Sequence, residues 1–121
     1  MARHNTLGND GEDCACEYLQ DKGYTVIERN WRCGHKELDL IAVDRDELVI
    51  VEVKTRSGLQ YGNPQDAVTD SKIRKIVSAA HAYVRYRRID MPVRFDIVSI
   101  VMDDGNTAIE HIERAFIPPL W

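Results

Sequence analysis

Glu37-Leu38-Asp39-Leu40-Ile41-Ala42-Val43-Asp44-Arg45-Asp46-Glu47-Leu48-Val49-Ile50-Val51-Glu52-Val53-Lys54 reads as two strands joined by a tight acidic turn. Runs of Leu, Ile and Val flank the charged tetrapeptide Asp44 to Glu47, which is the pattern of a β-hairpin. Charge inside the strands is the unusual feature. Glu37, Asp39, Glu52 and Lys54 stand where a purely structural hairpin would carry apolar residues. A turn centred between Arg45 and Asp46 predicts a register in which Asp39 faces Glu52 and Glu37 faces Lys54, with all four charges on one face. Directly opposed residues hold their Cβ atoms about 4.5–5.5 Å apart, and like charges so placed destabilise the pair. A divalent cation would convert that repulsion into coordination by oxygen ligands. On the opposite face Leu38, Leu40 and Ala42 are predicted to meet Val53, Val51 and Val49. Ile41, Leu48 and Ile50 fill the rest of the charged side, so the sheet should be covered on both faces.

The chain on either side supplies the cover. A helix is predicted from about Thr6 to Lys22, ended by Gly23, with Leu7, Gly11, Ala15, Tyr18 and Leu19 as its apolar stripe. Gly8 and Gly11 weaken that helix by about 1 kcal/mol each relative to Ala, which implies a close neighbour at this turn. Glu12 lies beside the stripe, where it reaches either solvent or the hairpin. Tyr24 to Trp31 reads as a strand and Arg32 to His35 as a turn. Thr55 to Gln65 reads as an exposed loop next to the charged end of the hairpin. A second helix is predicted from about Asp70 to Arg88 on the stripe Ile73, Ile76, Val77, Ala80, Tyr83 and Val84. Val93 to Val101 and Thr107 to Ile112 are the last strands, joined by the turn Asp103-Asp104-Gly105-Asn106. Arg94 and Asp96 share a face as a structural pair. The apolar tail from Ala115 to Trp121 either docks on the core or mediates self-association. The expected architecture is an α/β mixed five-stranded sheet flanked by helices, in the order α-β-β-β-α-β-β.

At 121 residues, 44% hydrophobic and 30% charged, the chain has the size and composition of one soluble globular domain, 1–121. No apolar run approaches the ~20 residues that span a bilayer. The start, Met1-Ala2-Arg3-His4-Asn5, lacks the apolar core of a signal peptide. Cys14, Cys16 and Cys33, an odd number without C-x-x-C spacing, suit a reducing compartment as thiols. A cytoplasmic protein with no membrane partner is expected. The net charge of −4 argues against indiscriminate nucleic-acid binding, but its distribution does not. Lys72, Arg74, Lys75, Arg85, Arg87 and Arg88 fall in one segment that contains no acidic residue. That helix face either meets an anionic partner or is a solvated face with ends matched to the helix dipole.

Glu12, Asp39 and Glu52 are hard oxygen donors of the kind that hold Mg²⁺ or Mn²⁺, and Lys54 adds a positive charge two residues beyond Glu52. Such a set suits metal-assisted phosphodiester hydrolysis, with Lys54 positioning water or stabilising developing charge. Asp39 followed by Glu52-Val53-Lys54 resembles the D…(D/E)-x-K signature of the restriction-endonuclease-like nuclease superfamily. Gly11-Glu12, Asn30, Glu37-Leu38-Asp39-Leu40-Ile41, Val51-Glu52-Val53-Lys54-Thr55-Arg56, Gly62, Val68, Lys72, Arg94-Phe95-Asp96 and Ala115-Phe116 are similar to the YraN-like family. That family of small bacterial proteins is grouped with nucleases and is similar to archaeal Holliday junction resolvases. The resemblance spans nearly the whole chain. It implies metal ligation by Glu12, Asp39 and Glu52, helped by the Val53 carbonyl, with Lys54 as the catalytic lysine and Glu37 in support. Arg56 and Lys72 match positions that meet the phosphate backbone, and Lys75 extends that basic surface. Lys36 departs from the family, which usually has Gly before its G-E-I-D motif; a side chain there would crowd the metal or add a phosphate contact.

The leading expectation is therefore a Mg²⁺-dependent endonuclease acting on structured or branched DNA. Its rival is a nuclease-fold DNA-binding module without turnover, acting in repair or recombination. A third reading makes the charges an internal ion network linking Glu37 to Lys54, with Arg56 nearby. A homodimer would suit a small protein that cuts two strands.

Overall fold

The fold is described from a computed structural model for residues 7–57, 69–103 and 105–117. Helix α1 (Leu7–Asp21) precedes strands β1 (Thr25–Cys33), β2 (Lys36–Asp44) and β3 (Glu47–Ser57). Helix α2 (Asp70–Arg87) leads into β4 (Val93–Asp103) and β5 (Asn106–Ile112). The five strands form one sheet in the order β1-β2-β3-β4-β5, antiparallel except for the parallel pair β3 and β4. Both the predicted element order and the mixed five-stranded sheet are observed.

Each helix ends where its sequence carries the matching signal. Gly23 adopts φ +98° after α1, and the Gly23 and Tyr24 amides bond back to the carbonyls of Gln20 and Leu19, closing a Schellman motif. The Thr69 hydroxyl accepts from the Lys72 amide at 3.2 Å as the N-cap of α2, and Arg88 ends that helix in the left-handed conformation. The apolar stripes then cover opposite faces of the sheet. Ala15 and Leu19 of α1 bury against Leu40, Ala42, Val49, Val51, Val98 and Ile100. Ile76, Val77, Ala80 and Tyr83 of α2 bury against Leu38, Ile41, Leu48, Ile50 and Phe95.

The hairpin turns at Arg45 and Asp46, with Arg45 at φ +59° and Asp44 paired to Glu47. The predicted register holds from there through Leu40 opposite Val51. Beyond Leu40 it differs from expectation. Leu38 lies in the α2-side cluster although Leu40 lies in the α1-side cluster, so β2 swaps faces across Asp39. The neighbouring strand marks the same place: Arg29 pairs with Leu40 and Trp31 with Leu38, and Asn30 between them sits at φ +51°. Asn tolerates that conformation better than most residues. The expected alignment of Leu38 with Leu40 and Ala42 fails because this twist intervenes.

Three boundaries also move. β1 runs on to Cys33, which shortens the predicted turn to Gly34 and His35, with Gly34 at φ +63°. β3 continues through Thr55 and Arg56 to Ser57 because β4 pairs with it along its full length, so the predicted loop starts later. β4 extends to Asp103 for the same reason, opposite Asn106 of β5. The remainder of that loop, Thr6, the Leu7 and Gly8 side chains and the end of the apolar tail lie outside the described residues. Of the described tail, Phe116 stacks on Phe95 with ring centroids 5.1 Å apart, and Ile117 is exposed.

At the turn end of the hairpin, Arg94 is buried among acids. Its guanidinium donates to both Asp96 oxygens at 3.0 Å, to Asp44 and Glu47 at 3.1 Å, and to the Tyr24 hydroxyl at 2.6 Å. Asp96, fully buried, also meets His111 Nε2 at 2.7 Å and accepts from the Arg114 amide at 3.1 Å. The expected Arg94–Asp96 pair is thus the centre of a larger network. Burial alone would raise the Asp96 pKa, but its bonds to His111, Arg94 and the Arg114 amide outweigh that and hold it below the ordinary carboxylate value.

Two predictions arise from this packing. A Cβ built on Gly11 would overlap the Thr55 hydroxyl and lie 2.9 Å from Thr55 Cβ. Gly11→Ala should therefore destabilise the protein by about 1–2 kcal/mol despite better helix propensity, with partial rescue by Thr55→Ala, as read by urea unfolding. Asp96→Ala leaves Arg94 buried with fewer partners and should cost about 3–5 kcal/mol. Because the folded-state pKa of Asp96 is depressed, its contribution is present above the unfolded value of 3.8 and is lost as pH falls through the lower folded value. Thermal melts of wild type and Asp96→Ala should therefore converge in strong acid.

Candidate functional site

At its open end the hairpin parts because a side chain takes over from the ladder. The Asp39 carboxylate accepts the Val53 amide proton at 2.9 Å, one step beyond the last main-chain pair, Leu40 with Val51. The expected Asp39–Glu52 register pair is not part of the ladder, which ends at Leu40 with Val51, yet the two carboxylates stay close enough for Glu52 to raise the Asp39 pKa; the expected Glu37–Lys54 pair is absent. Lys54 instead lies 3.6 Å from Glu52, and Glu37 lies 3.4 Å from Arg32. The internal network linking Glu37 to Lys54 is corrected accordingly.

Glu52 is buried, with 8% of its surface exposed, and two ammonium groups balance it. Lys72, in the first turn of α2, approaches its Oε2 to 3.0 Å, closer than Lys54. Among the described residues, Asp39 has no such counter-charge at contact distance. Burial, then the Glu52 carboxylate and more weakly Glu12, push its pKa from 3.8 to about 7, against the lowering effect of the Val53 amide. Burial works against the charge on Lys72, yet its bond to Glu52 and the field of Glu52 and Asp39 hold its pKa above the ordinary lysine value.

Glu12 arrives from the other face of the sheet. Gly11 lets α1 approach Thr55 of β3, and the next residue, Glu12, accepts a 2.8 Å hydrogen bond from the Asn30 side chain. A cavity of about 320 Å³ is bordered by Glu12, Asp39, Glu52, Lys54, Thr55 and Lys72. A second, of about 570 Å³, shares Asp39, Glu52 and Lys72 and reaches His35, Lys36, Glu37 and Lys75. The structure therefore gathers Glu12, Asp39, Glu52, Lys54 and Lys72 around one opening and sets Lys36, Glu37 and Lys75 along its extension. Arg56 lies two residues beyond Lys54 on β3, paired in register with Val101, and is not among the described residues lining either cavity.

Hard carboxylate oxygens of this kind match Mg²⁺ or Mn²⁺. Among the described residues, however, no three His, Cys, Asp or Glu side chains converge as a ready-made metal centre. Glu12 is engaged by Asn30, and Glu52 is engaged by the two lysines. Residue reading from the hairpin alone missed two features. The Val53 amide cap on Asp39 has no side-chain signal. The Lys72–Glu52 contact had only an indirect one, the segregation of positive charge into α2. His35, Arg74 and Ser78 also line the larger cavity and were not singled out as site residues.

No helix in the described residues is long and apolar enough to cross a membrane. A model of the uncharacterised protein family UPF0102 matches residues 11–100. The chain is 54% identical to a UPF0102 protein of Phocaeicola vulgatus and 51% identical to one of Bacteroides thetaiotaomicron, over 121 residues and the whole of each chain. It is 47% identical to a UPF0102 protein of Flavobacterium psychrophilum over 116 residues, 96% of this chain and 98% of that one. The matched span takes in Glu12, Asn30, Asp39, Glu52, Lys54 and Lys72, and with it the whole opening of the hairpin, so the chain belongs to the uncharacterised protein family UPF0102, the YraN-like family.

Proposed function

We propose that this protein is a Mg²⁺- or Mn²⁺-dependent endonuclease of the restriction-endonuclease-like superfamily, hydrolysing phosphodiester bonds in branched or structured DNA. The observation that carries the reading is the crowding of Asp39 and Glu52 where the hairpin opens, with Asp39 pushed to about pKa 7 and Lys54 and Lys72 beside Glu52. Closely placed, part-buried carboxylates with a raised pKa beside an open cavity are the arrangement that functional sites use. Glu12, Asp39 and Glu52, with the Val53 carbonyl, would hold the ion. When bound, such an ion supplies Lewis acidity at a phosphoryl group and lowers the pKa of water.

The remaining work falls to this chain's own side chains. Lys54 orients the attacking water and stabilises charge growing on a phosphoryl oxygen. Lys72, 3.0 Å from Glu52 at the edge of the opening, is placed to meet an adjacent phosphate. Lys36, Lys75 and Arg56 hold the backbone without reading its sequence. Glu37, on the rim of the larger cavity, supports the acidic set. A second reading, a DNA-binding module without turnover, is favoured by one fact: Glu12 and Glu52 already have partners in Asn30 and the two lysines.

A cleavage assay on a four-way DNA junction with Mg²⁺ separates the two. Asp39→Asn, Glu52→Gln and Lys54→Ala should each lose about 10²–10³-fold in rate, the scale of removing one group that stabilises transition-state charge. Equal activity in wild type and all three variants rejects the nuclease. Junction binding with no cleavage by any of the four proteins selects the module.

Stability gives an independent check on the crowding. The folded-state pKa of Asp39 lies above its unfolded value, so its contribution is fully present below about pH 4 and is lost as pH rises through about 7. In metal-free buffer at about pH 8, Asp39→Asn should melt about 4 °C or more above wild type, the equivalent of roughly 1 kcal/mol. The gap should close near pH 4. Added Mg²⁺ should raise the wild-type Tm at the higher pH and leave Asp39→Asn nearly unmoved.

A further inference from the structure

Beyond the carboxylates, positive charge continues along α2 toward its C-terminal end. A cavity of about 180 Å³ is bordered by Lys36, Ser78, His81, Ala82 and Arg85. Three of these five side chains are cationic or can become so, one is a hydroxyl, and none is acidic. Lys36 projects from the start of β2, and Ser78, His81 and Arg85 succeed one another on α2 at helical spacing. Among the described residues, no ion pair is made by Lys36, His81 or Arg85. Several cations elsewhere are matched, Arg29 by Asp13, Arg32 by Glu37, Arg87 by Glu28 and Arg94 by three acids, whereas this cavity gathers three such groups with no acid among its lining residues. Like charges gathered without a counter-ion repel, and a bound anion relieves that repulsion. Lys, Arg, His and Ser together form a donor set suited to phosphate oxygens.

The two cavities have Lys36 and Ser78 in common, so the small one lies next to the cavity that holds Asp39, Glu52 and Lys72. Lys72 marks the carboxylate end, and His81 is nine residues further along the helix. At 1.5 Å per residue that separation is about 14 Å. One strand of a nucleic acid advances about 3.4 Å per nucleotide, so the span corresponds to about four nucleotides.

We propose that Lys36, Ser78, His81 and Arg85 form a phosphate-binding subsite for a nucleic-acid strand, about four nucleotides from the position at the Asp39–Glu52 carboxylates. The strand runs along the groove between the start of β2 and α2. Lys36 is then a substrate contact, and the side chain at this position extends the groove rather than blocking the metal site. The subsite rests on the nucleic-acid reading of the same opening but not on turnover.

The test is fluorescence anisotropy with a fluorescein-labelled splayed-arm DNA duplex, titrated across salt concentrations without divalent metal. Lys36→Ala and Arg85→Ala should each weaken binding about tenfold and reduce the slope of log Kd against log salt by about one. Lys36→Arg should retain the wild-type slope. Lys22→Ala, which removes a cation beside His111 and Glu113 on β5 and beyond it, should leave the slope unchanged. Arms shortened below about four nucleotides should abolish the difference between wild type and Lys36→Ala. Unchanged slopes in Lys36→Ala and Arg85→Ala overturn the subsite, as does an equal loss in Lys22→Ala, which would mark a general charge effect. Cleavage assays on the same proteins keep the two ideas apart. The expected slopes without any cleavage sustain the subsite and reject the nuclease; cleavage with unchanged slopes does the reverse.

Discussion

Everything at the open end of this molecule depends on one hydrogen bond, from the Val53 amide to the Asp39 carboxylate at 2.9 Å. A main-chain carbonyl would ordinarily take that proton and extend the ladder. When a side chain takes it, β2 is released from β3 and can twist, and Leu38 turns to the α2 face while Leu40 stays on the α1 face. The twist puts Asp39 where both layers of the protein can reach it, Glu12 from one side and Lys72 from the other. An aspartate that only capped a strand would not need an acidic neighbour. This one has Glu52 across the gap, and the field of that neighbour together with burial raises its proton affinity.

Glu52 is almost completely buried and would be intolerable as an isolated charge. Lys72 and Lys54 make it tolerable, and each contact can be exchanged because both ammonium groups sit on flexible stems that reach solvent. Exchangeable compensation of this kind lets the fold carry an acidic pair at a solvent-accessible opening. It also differs from the Arg94 cluster, where a rigid guanidinium is fixed by five bonds in a buried setting.

The fold was largely legible because its decisive patterns are local. Two apolar stripes at helical spacing, a hairpin with alternating faces, Gly23 as a helix stop and Arg94 beside Asp96 each follow from near neighbours in the chain. The register between Asp44 and Leu40 was legible for the same reason, since a two-residue turn fixes it. What escaped depends on distant partners. The extension of β3 to Ser57 is dictated by β4, whose Met102 pairs with it from far along the chain, and the twist at Asp39 coincides with Asn30 in β1 at φ +51°. The acidic residues of the opening could be read from their odd placement in strands. Their engagement by Asn30, Lys72 and the Val53 amide could not, because none of those contacts leaves a periodic trace in the sequence.

The hairpin is anchored at one end and strained at the other. At its turn, the buried Arg94 ties Asp44, Glu47, Asp96 and Tyr24 into one knot. About five residues along β3 from Glu47, roughly 17 Å away, Glu52 stands in the acidic opening. The groups that secure the turn and those that crowd the opening are therefore different residues of the same two strands. Among the described residues, the knot that secures the sheet shares no side chain with the lining of the opening, so a substitution at Lys36 leaves the Arg94 network intact.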